Sequence, residues 1–320
     1  MTDTSIPAPL NKPRFRLLRG LTQNPVVLKE LRGRMRAGRA FLIITIYLIL
    51  MSLLVGLIYI GMVSSSNSTG SSSIVQVVGK TVFGAVVGIE MMMVCFLSPA
   101  LTAGAIATER ERQTFDLLRT TLLPARSLVF GKLVSALSFL VLLLVVGFPL
   151  LALASLFGGV SVGEVLVAFL LLTVTALAFC AIGLVISSLM RSTLAATVIS
   201  YVGAVIMVFG EPTLIGIAAS FLSVVTSGLG ANNSVAQQAL MEAIVYIIGY
   251  LLVVLNPVAT IIASELVLLD AQSFFYTTLP LTNGSSFPVI SPWITYTILY
   301  GLFSLLLVWL SIIFVRRVGK

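Results

Sequence analysis

Long apolar runs dominate the chain, and polar residues are confined to the short intervals between them. A transmembrane helix needs about 20 apolar residues, because the hydrocarbon core is about 30 Å thick and a helix rises about 1.5 Å per residue. The pattern therefore predicts an all-α polytopic membrane protein with six transmembrane helices. The predicted spans are residues 40–63, 81–103, 128–157, 162–189, 193–225 and 293–315.

A seventh apolar run, residues 239–263, is interrupted by Asn256 and Pro257. Short cytoplasmic loops are enriched in Lys and Arg. With six spans and both termini inside, 18 of the 19 basic residues are cytoplasmic, and only Lys80 lies outside. A seventh crossing would move the basic C-terminus outside, so we interpret this run as re-entrant helices within an outer region, residues 226–292. In the alternative, residues 193–225 form a broken re-entrant pair and residues 239–263 cross the membrane.

Composition supports a membrane location, since 58% of residues are hydrophobic, 9% are charged and the mean hydropathy is +1.13. Soluble domains carry about 25% charged residues. The first apolar run follows a long basic stretch, too late for a cleavable signal peptide, so we expect it to remain as the first span. We expect a multi-pass protein of the bacterial plasma (inner) membrane with both termini cytoplasmic. Residues 1–39 would form a cytoplasmic tail with an interfacial helix, and residues 40–320 a single transmembrane domain.

Motifs that would indicate an enzyme are missing from the sequence. It contains no histidine, and its two cysteines lie within apolar runs. Gly79-Lys80-Thr81 is not a P-loop, because Ile74 stands where the first glycine is required. We therefore predict no catalytic, cofactor-binding or metal-ligating residues in this chain, and no nucleic-acid partner.

The segment before the first span, residues 24–39, combines an apolar stripe with a basic sector. Pro25 suits the first turn of a helix, and Leu28, Leu31 and Met35 recur at helical spacing. This pattern predicts an amphipathic helix on anionic lipid headgroups, although a plain positive-inside topology signal would look similar. The basic residues of the predicted interfacial helix are Lys29, Arg32, Arg36 and Arg39.

The densest charge cluster lies in the predicted cytoplasmic loop between the second and third spans, residues 104–127. On a helix, Arg112 and Asp116 are four residues apart and would pair, while Phe115 and Leu118 share an apolar face. Such a helix is suited to docking on a soluble partner. A solvated loop helix without a partner is the alternative.

Two acidic residues, Glu90 and Glu211, fall within predicted spans. Ionisable groups at membrane depth are costly and usually face a bundle interior or a cavity, so both mark a possible substrate pathway. For Glu211, the following Pro212 favours a helix end that reaches water. For Glu90, a structural hydrogen bond to a neighbouring helix is an equally good interpretation.

Two segments resemble permease subunits of ABC exporters of the ABC-2-type family. They are Asn24-Pro-Val-Val-Leu-Lys-Glu-Leu-Arg-Gly-Arg-Met35 and Ala105-Ile-Ala-Thr-Glu-Arg-Glu-Arg-Gln-Thr-Phe-Asp-Leu-Leu118. The pair Gly131-Lys132, the triplet Leu255-Asn-Pro257 and the basic tail Val315-Arg-Arg317 fit the same family. The layout of the whole chain also agrees, apart from an outer region that looks long and contains an acidic, aromatic stretch at residues 270–276.

The resemblance implies six helices, cytoplasmic termini and outer re-entrant helices before the last span. It also implies a second permease copy or a paralogue, together with two separate ATPase subunits that bind ATP and Mg. This chain would then bind no cofactor of its own and would not be an enzyme. The residues expected to couple it to the ATPase are Glu109, Arg110, Glu111, Arg112, Thr114 and Asp116.

The expected function is that of the permease subunit of an ATP-driven exporter. Its substrate would be hydrophobic or amphipathic, such as a lipid, a drug or a lipid-linked glycan, because the bundle offers few fixed charges. The alternative is an ion-coupled secondary transporter that uses Glu90 and Glu211, but this class usually shows an internal repeat, and none is evident. A membrane-embedded enzyme or a cation channel would need a reactive constellation or a filter sequence, and the sequence shows neither.

Overall fold

The computed structural model describes residues 39–65, 72–113, 124–210, 235–270, 274–280 and 286–317, with isolated positions such as Glu30 and Gly33. The predicted interfacial residues Lys29, Arg32 and Arg36 lie outside these residues, and for Arg39 only the backbone is described. Arg39 is the first residue of the first helix.

The described chain is helical apart from one short hairpin. We number its helices α1 Arg39–Ser65, α2 Ser72–Thr102, α3 Ala107–Glu111, α4 Ala125–Leu156, α5 Val162–Leu189, α6 Thr193–Val205, α7 Val235–Leu255, α8 Pro257–Asp270 and α9 Pro292–Arg317. A π-helix, Ile206–Gly210, continues α6. The strands are β1 Tyr276–Pro280 and β2 Ser286–Ile290.

Six of the described helical segments are long and apolar enough to cross a membrane, which confirms the predicted fold class. They are Phe41–Met62, Gln76–Glu111, Ala125–Leu156, Val162–Leu189, Thr193–Gly210 and Pro292–Arg317. The fifth segment ends at Gly210, whereas the prediction extended to residue 225. Glu211 lies outside the described residues.

Helix α5 forms the centre of the bundle and packs against α2, α4, α6 and α9. In its most apolar stretch 61% of the residues are buried, against 11% in α1. Small residues on α5 allow this close approach. A Cβ atom on Gly183, for example, would lie 2.1 Å from Thr102 Oγ1 of α2. The large apolar residues of α1 are mostly exposed instead, as expected for a helix that contacts lipid or another chain.

Helices α7 and α8 form a pair that is bent by 119° at Asn256. Asn256 caps α8, because its Oδ1 accepts hydrogen bonds from the backbone N–H groups of Val258 and Ala259, both at 2.9 Å. Pro257 occupies the first helical position, where its missing N–H costs nothing. A turn of this size sends α8 back toward the side from which α7 came, which favours the re-entrant interpretation of residues 239–263.

The bend is tolerated because other side chains bond the backbone carbonyls that it exposes. Tyr300 of α9 donates its hydroxyl to the carbonyl of Leu255, and Thr260 Oγ1 donates to the carbonyl of Val253 at 2.9 Å. Lipid offers no hydrogen bonds, so irregular backbone at membrane depth needs such partners from protein. Tyr300 lies about 12 Å along α9 from Pro292, which places the bend well inside the bundle.

Asn256 also connects the bent pair to the end of α6. Its Nδ2 donates hydrogen bonds to the carbonyls of Met207 at 3.0 Å and Val208 at 3.2 Å, both in the π-helix. Asn256 is completely buried. One side chain therefore joins α6, α7 and α8.

Strands β1 and β2 form an antiparallel hairpin that the sequence did not predict, with Tyr276 opposite Ile290. The hairpin is attached to the helices by side chains. Tyr250 of α7 donates its hydroxyl to the carbonyl of Ile290 at 2.9 Å, and Trp293 Nε1 of α9 donates to the carbonyl of Phe274 at 2.8 Å. The hairpin covers the end of the bundle at which α9 begins.

Replacing Asn256 tests whether this residue holds the three helices together. We expect Asn256→Ala to lower the free energy of unfolding by about 2–4 kcal/mol, because it removes a helix cap and leaves buried carbonyls without donors. Asn256→Ser keeps a capping oxygen but does not reach α6, so we expect an intermediate loss. The measurement is thermal unfolding of the purified chain in a non-ionic detergent. Equal melting temperatures for the two variants and the wild type would contradict this role.

Candidate functional site

The short helix α3 lies at the end of the bundle where α2 and α5 finish. After Thr102 the chain turns through residues 103–106, and α3 begins at Ala107. Ser187 Oγ of α5 accepts hydrogen bonds from the backbone N–H groups of Ile106 at 2.9 Å and Ala107 at 3.0 Å. The first N–H groups of a helix have no partner within the helix, so Ser187 both caps α3 and fixes it to α5.

A buried lysine connects α3 to α4 and to the segment before α1. Lys132 Nζ lies 2.8 Å from Glu109 Oε1 and 3.2 Å from Glu30 Oε1, and its side chain is only 5% exposed. We call these three residues the ion triad. Removing one partner of a buried ion pair is strongly destabilising, since the remaining charge is left without compensation. The ion triad therefore fixes the relative positions of three segments that are far apart in sequence.

The next two residues of α3 bind the connection between α5 and α6. Arg110 Nη1 donates a hydrogen bond to the carbonyl of Met190 at 3.2 Å, just after α5 ends. Glu111 Oε2 accepts hydrogen bonds from Thr193 N at 3.1 Å and Thr193 Oγ1 at 2.7 Å, at the first residue of α6. A carboxylate at a helix N-terminus is also favoured by the helix dipole.

The end of α3 faces away from the bundle. Arg112 and Gln113 are exposed. Gln113 adopts a left-handed backbone conformation with φ of 57°, and its N–H donates to the carbonyl of Arg110 at 3.0 Å, which ends the helix. This conformation costs a residue other than glycine about 1–2 kcal/mol. Glu111 is exposed as well, so a partner can reach the last residue of α3 and the turn that follows it.

The six predicted coupling residues thus fall into three groups: those that contact other parts of this chain, one that is exposed, and those outside the described residues. Glu109, Arg110 and Glu111 contact other parts of this chain, and Arg112 is exposed. The remaining two, Thr114 and Asp116, lie outside the described residues, and so does the predicted pairing of Arg112 with Asp116.

Sequence reasoning missed the residues that receive these contacts, namely Ser187, Thr193 and, as an ion-pair partner, Lys132. A signal for Lys132 was present, because it is a single basic residue near the start of a predicted apolar span. A buried lysine needs a carboxylate.

Glu90 occupies a different place, at the contact of α1, α2 and α4. Its Oε1 accepts a hydrogen bond of 2.9 Å from the hydroxyl of Tyr47, and the residue is 1% exposed. A Cβ atom on Gly147 of α4 would press on the same oxygen and on the Tyr47 hydroxyl, so glycine here leaves room for this hydrogen bond. These contacts agree with the structural interpretation of Glu90. The described residues contain no cluster of His, Cys, Asp and Glu that could bind a metal.

Neutralising Lys132 tests the ion triad. We expect Lys132→Met to lower the free energy of unfolding by about 3–5 kcal/mol, because it leaves two partly buried carboxylates without their counter-charge. Arg126→Met is the matched control, since Arg126 lies on the same helix but is exposed. The measurement is again thermal unfolding in detergent, and a Lys132 variant as stable as the control would refute the triad.

Removing the hydroxyl of Tyr47 tests the structural interpretation of Glu90. We expect Tyr47→Phe to lower the free energy of unfolding by about 1–3 kcal/mol, because the buried Glu90 carboxyl loses its donor. Glu90→Gln keeps an acceptor for Tyr47 and should cost less. The control is Tyr59→Phe, on the same helix, whose exposed ring stacks on Phe157. Indistinguishable melting temperatures for the two tyrosine variants would show that the hydrogen bond has no structural role.

Comparison with known proteins finds a matching family for the part of the chain that carries these contacts. Residues 25–219 match the family model described as ABC-2 type transporter. The match covers more than half of the chain and includes the ion triad, all of α3 and the start of α6. A comparison with curated proteins finds no match. The chain belongs to the ABC-2 type transporter family.

Proposed function

We propose that this chain is the permease subunit of an ATP-driven exporter and that a separate ATPase subunit docks on the exposed end of α3. One observation supports the proposal above others. The turn at Arg112 and Gln113 is exposed, while the three residues before it bind α4, the end of α5 and the start of α6. A partner that pushes on this turn therefore acts on three helices at once.

Two of these contacts would carry the movement further. The bond between Glu111 and Thr193 moves the start of α6, and the ion triad moves α4 and the segment at Glu30. Helix α6 with its π-helix, Thr193–Gly210, is about 27 Å long, and its far end is bonded to Asn256. Movement of α3 would thus reach the bent pair α7–α8 at the other side of the bundle.

The distribution of charge supports the orientation. Short cytoplasmic loops are enriched in Lys and Arg. Glu30, α3, Arg191 and the basic end of α9 at Arg316 and Arg317 lie at the ends that the topology makes cytoplasmic. We propose a bacterial plasma-membrane protein with both termini in the cytoplasm. Its substrate is hydrophobic or amphipathic, because the described bundle has few charges at membrane depth.

The proposed assembly contains two permease chains, identical or paralogous, and two ATPase subunits that hold ATP and Mg. Exposed apolar residues on α1 and α6 leave a large surface for lipid and for the second permease chain. The rival ion-coupled mechanism has less support. It was predicted to use Glu90 and Glu211, but Glu90 is buried and bonded to Tyr47, and Glu211 lies outside the described residues.

Two variants separate docking from transmission when the chain is co-expressed with the ATPase subunit of the proposed assembly. We expect Arg112→Glu to reduce the amount of ATPase that co-purifies by about tenfold, because it reverses the charge of the exposed turn. We expect Glu111→Ala to leave the complex assembled but to abolish the stimulation of ATP hydrolysis by substrate, because the start of α6 is no longer bonded to α3. Co-purification and ATP hydrolysis are measured on the same preparations.

Arg126→Glu is the control for the charge reversal, since it also places an exposed acidic residue near this end of the bundle. It should leave both readouts unchanged. Full co-purification of the Arg112 variant, combined with normal stimulation in the Glu111 variant, would overturn the proposed role of α3.

A further inference from the structure

A cleft of about 460 Å³ runs between α2 and α8, away from α3. This volume is within the usual range for sites that bind small molecules. On α2 the cleft follows Lys80, Gly84, Gly88 and Met91, which share one helical face. Since Gly84 and Gly88 have no side chain and nothing within 4 Å of an added Cβ, they leave the cleft open. On α8 the lining residues are Val258, Ile261, Ile262, Glu265 and Leu266.

The two walls run in opposite directions, so charged residues meet at one end and apolar residues at the other. Lys80 and Glu265 lie at the end where α2 begins and α8 finishes. Met91 lies about 16 Å deeper along α2, and Val258 lies at the start of α8, next to the bend at Asn256. The cleft thus has a charged mouth and an apolar interior, which matches a molecule with a polar head and an apolar tail.

The mouth carries an excess of negative charge. Lys80 attracts the Glu265 carboxylate, and Glu164 at the start of α5 repels it. Glu164 Oε1 accepts a hydrogen bond from Ser161 Oγ at 2.9 Å, whereas its Oε2 is buried and has no hydrogen-bond partner among the described residues. Glu265 lines the mouth and Glu164 acts on it from nearby, so two carboxylates accompany one ammonium group and favour a further cation with N–H donors.

The turn between α4 and α5 lies beside Lys80. Gly158 and Gly159 both have positive φ values, 88° and 83°, which allow this turn to lie directly on α2. A Cβ atom on Gly159 would lie 3.3 Å from Lys80 Cγ. The turn therefore lies against the lysine stem, and Glu164 follows it in the first turn of α5.

We propose that the α2–α8 cleft binds a lipid-like amphiphile with a protonated amine head, whose tail lies against Gly84, Gly88 and Ile261. The amine would donate hydrogen bonds to Glu265, and the nearby Glu164 would add negative charge that favours it. A binding site for such an amphiphile assigns a substrate class to the exporter, and in that respect it rests on the function proposed above. The cleft adjoins α8, which Asn256 connects to α6, so the same helix that lines the site is linked to α3.

The test measures binding to the chain alone, purified in maltoside micelles, by equilibrium dialysis of labelled dodecylamine, dodecanol and dodecanoate against empty micelles. The three probes share a tail and differ in head charge. We expect dodecylamine to bind at least about tenfold more tightly than dodecanol, which is the size of one charge-assisted hydrogen bond, and dodecanoate to bind most weakly. Equal affinities for the three probes would overturn the proposal.

Three variants locate the site. We expect Glu265→Gln to weaken dodecylamine binding about tenfold and Lys80→Gln to strengthen it, because the two substitutions change the charge of the mouth in opposite directions. Gly88→Leu should abolish binding by filling the cleft, whereas Gly301→Leu, a matched control on α9 with nothing within 4 Å, should leave it unchanged. The melting temperature of each variant reports whether the fold is intact.

A shift in the same direction for Glu265→Gln and Lys80→Gln, or amine binding that survives Gly88→Leu in a folded protein, would place the amphiphile elsewhere. This assay contains no ATPase. Loss of amine selectivity would therefore overturn only the proposal that the cleft binds an amine. Failure of the ATPase to co-purify would overturn only the proposal that the chain is an exporter subunit.

Discussion

The architecture of this bundle depends on the need to give buried polar groups a partner inside the protein, because lipid offers none. Asn256 shows this most clearly. The bend between α7 and α8 leaves backbone groups outside a helix at depth, and Asn256, Thr260 and Tyr300 bond them. The same requirement explains why Lys132 brings two carboxylates together and why Ser187 accepts two N–H groups at the start of α3. Apolar packing holds the helices close, but these polar contacts decide which ends meet.

The polar contacts form a continuous connection across the molecule. It begins at α3, passes through Glu111 and Thr193 into α6, and leaves α6 through the π-helix carbonyls that Asn256 binds. A π-helix interrupts the regular hydrogen-bond pattern and is frequent at functional sites. Here it supplies the two carbonyls that face Asn256. The proposed coupling therefore needs no long-range rearrangement of the core around α5, only a movement of α6 relative to that core.

The two ends of the bundle use charge differently. At the α3 end, the opposite charges of the ion triad are in direct contact, so their role is to hold segments together. At the other end, Lys80 and Glu265 line a cleft, and Glu164 lies near enough to repel the Glu265 carboxylate. Charges in direct contact are suited to structure, and charges that line an open cleft are suited to binding. This difference separates the proposed coupling site from the proposed amphiphile site.

The sequence by itself determined the fold class and the count of six helices long and apolar enough to cross a membrane, since crossing requires long apolar runs that can be counted. It also identified the charged loop at residues 104–127 and, by resemblance, its family, which the match over residues 25–219 confirms. Only the tertiary structure decided what each charged residue does. Glu109 and Glu111 were expected to face a partner, yet they bond Lys132 and Thr193, which lie 23 and 82 residues away in sequence. Spacing along one helix shows which residues share a face, but contacts between helices arise only when the helices pack, so the ion triad, the role of Asn256 and the α2–α8 cleft could not be predicted from the sequence.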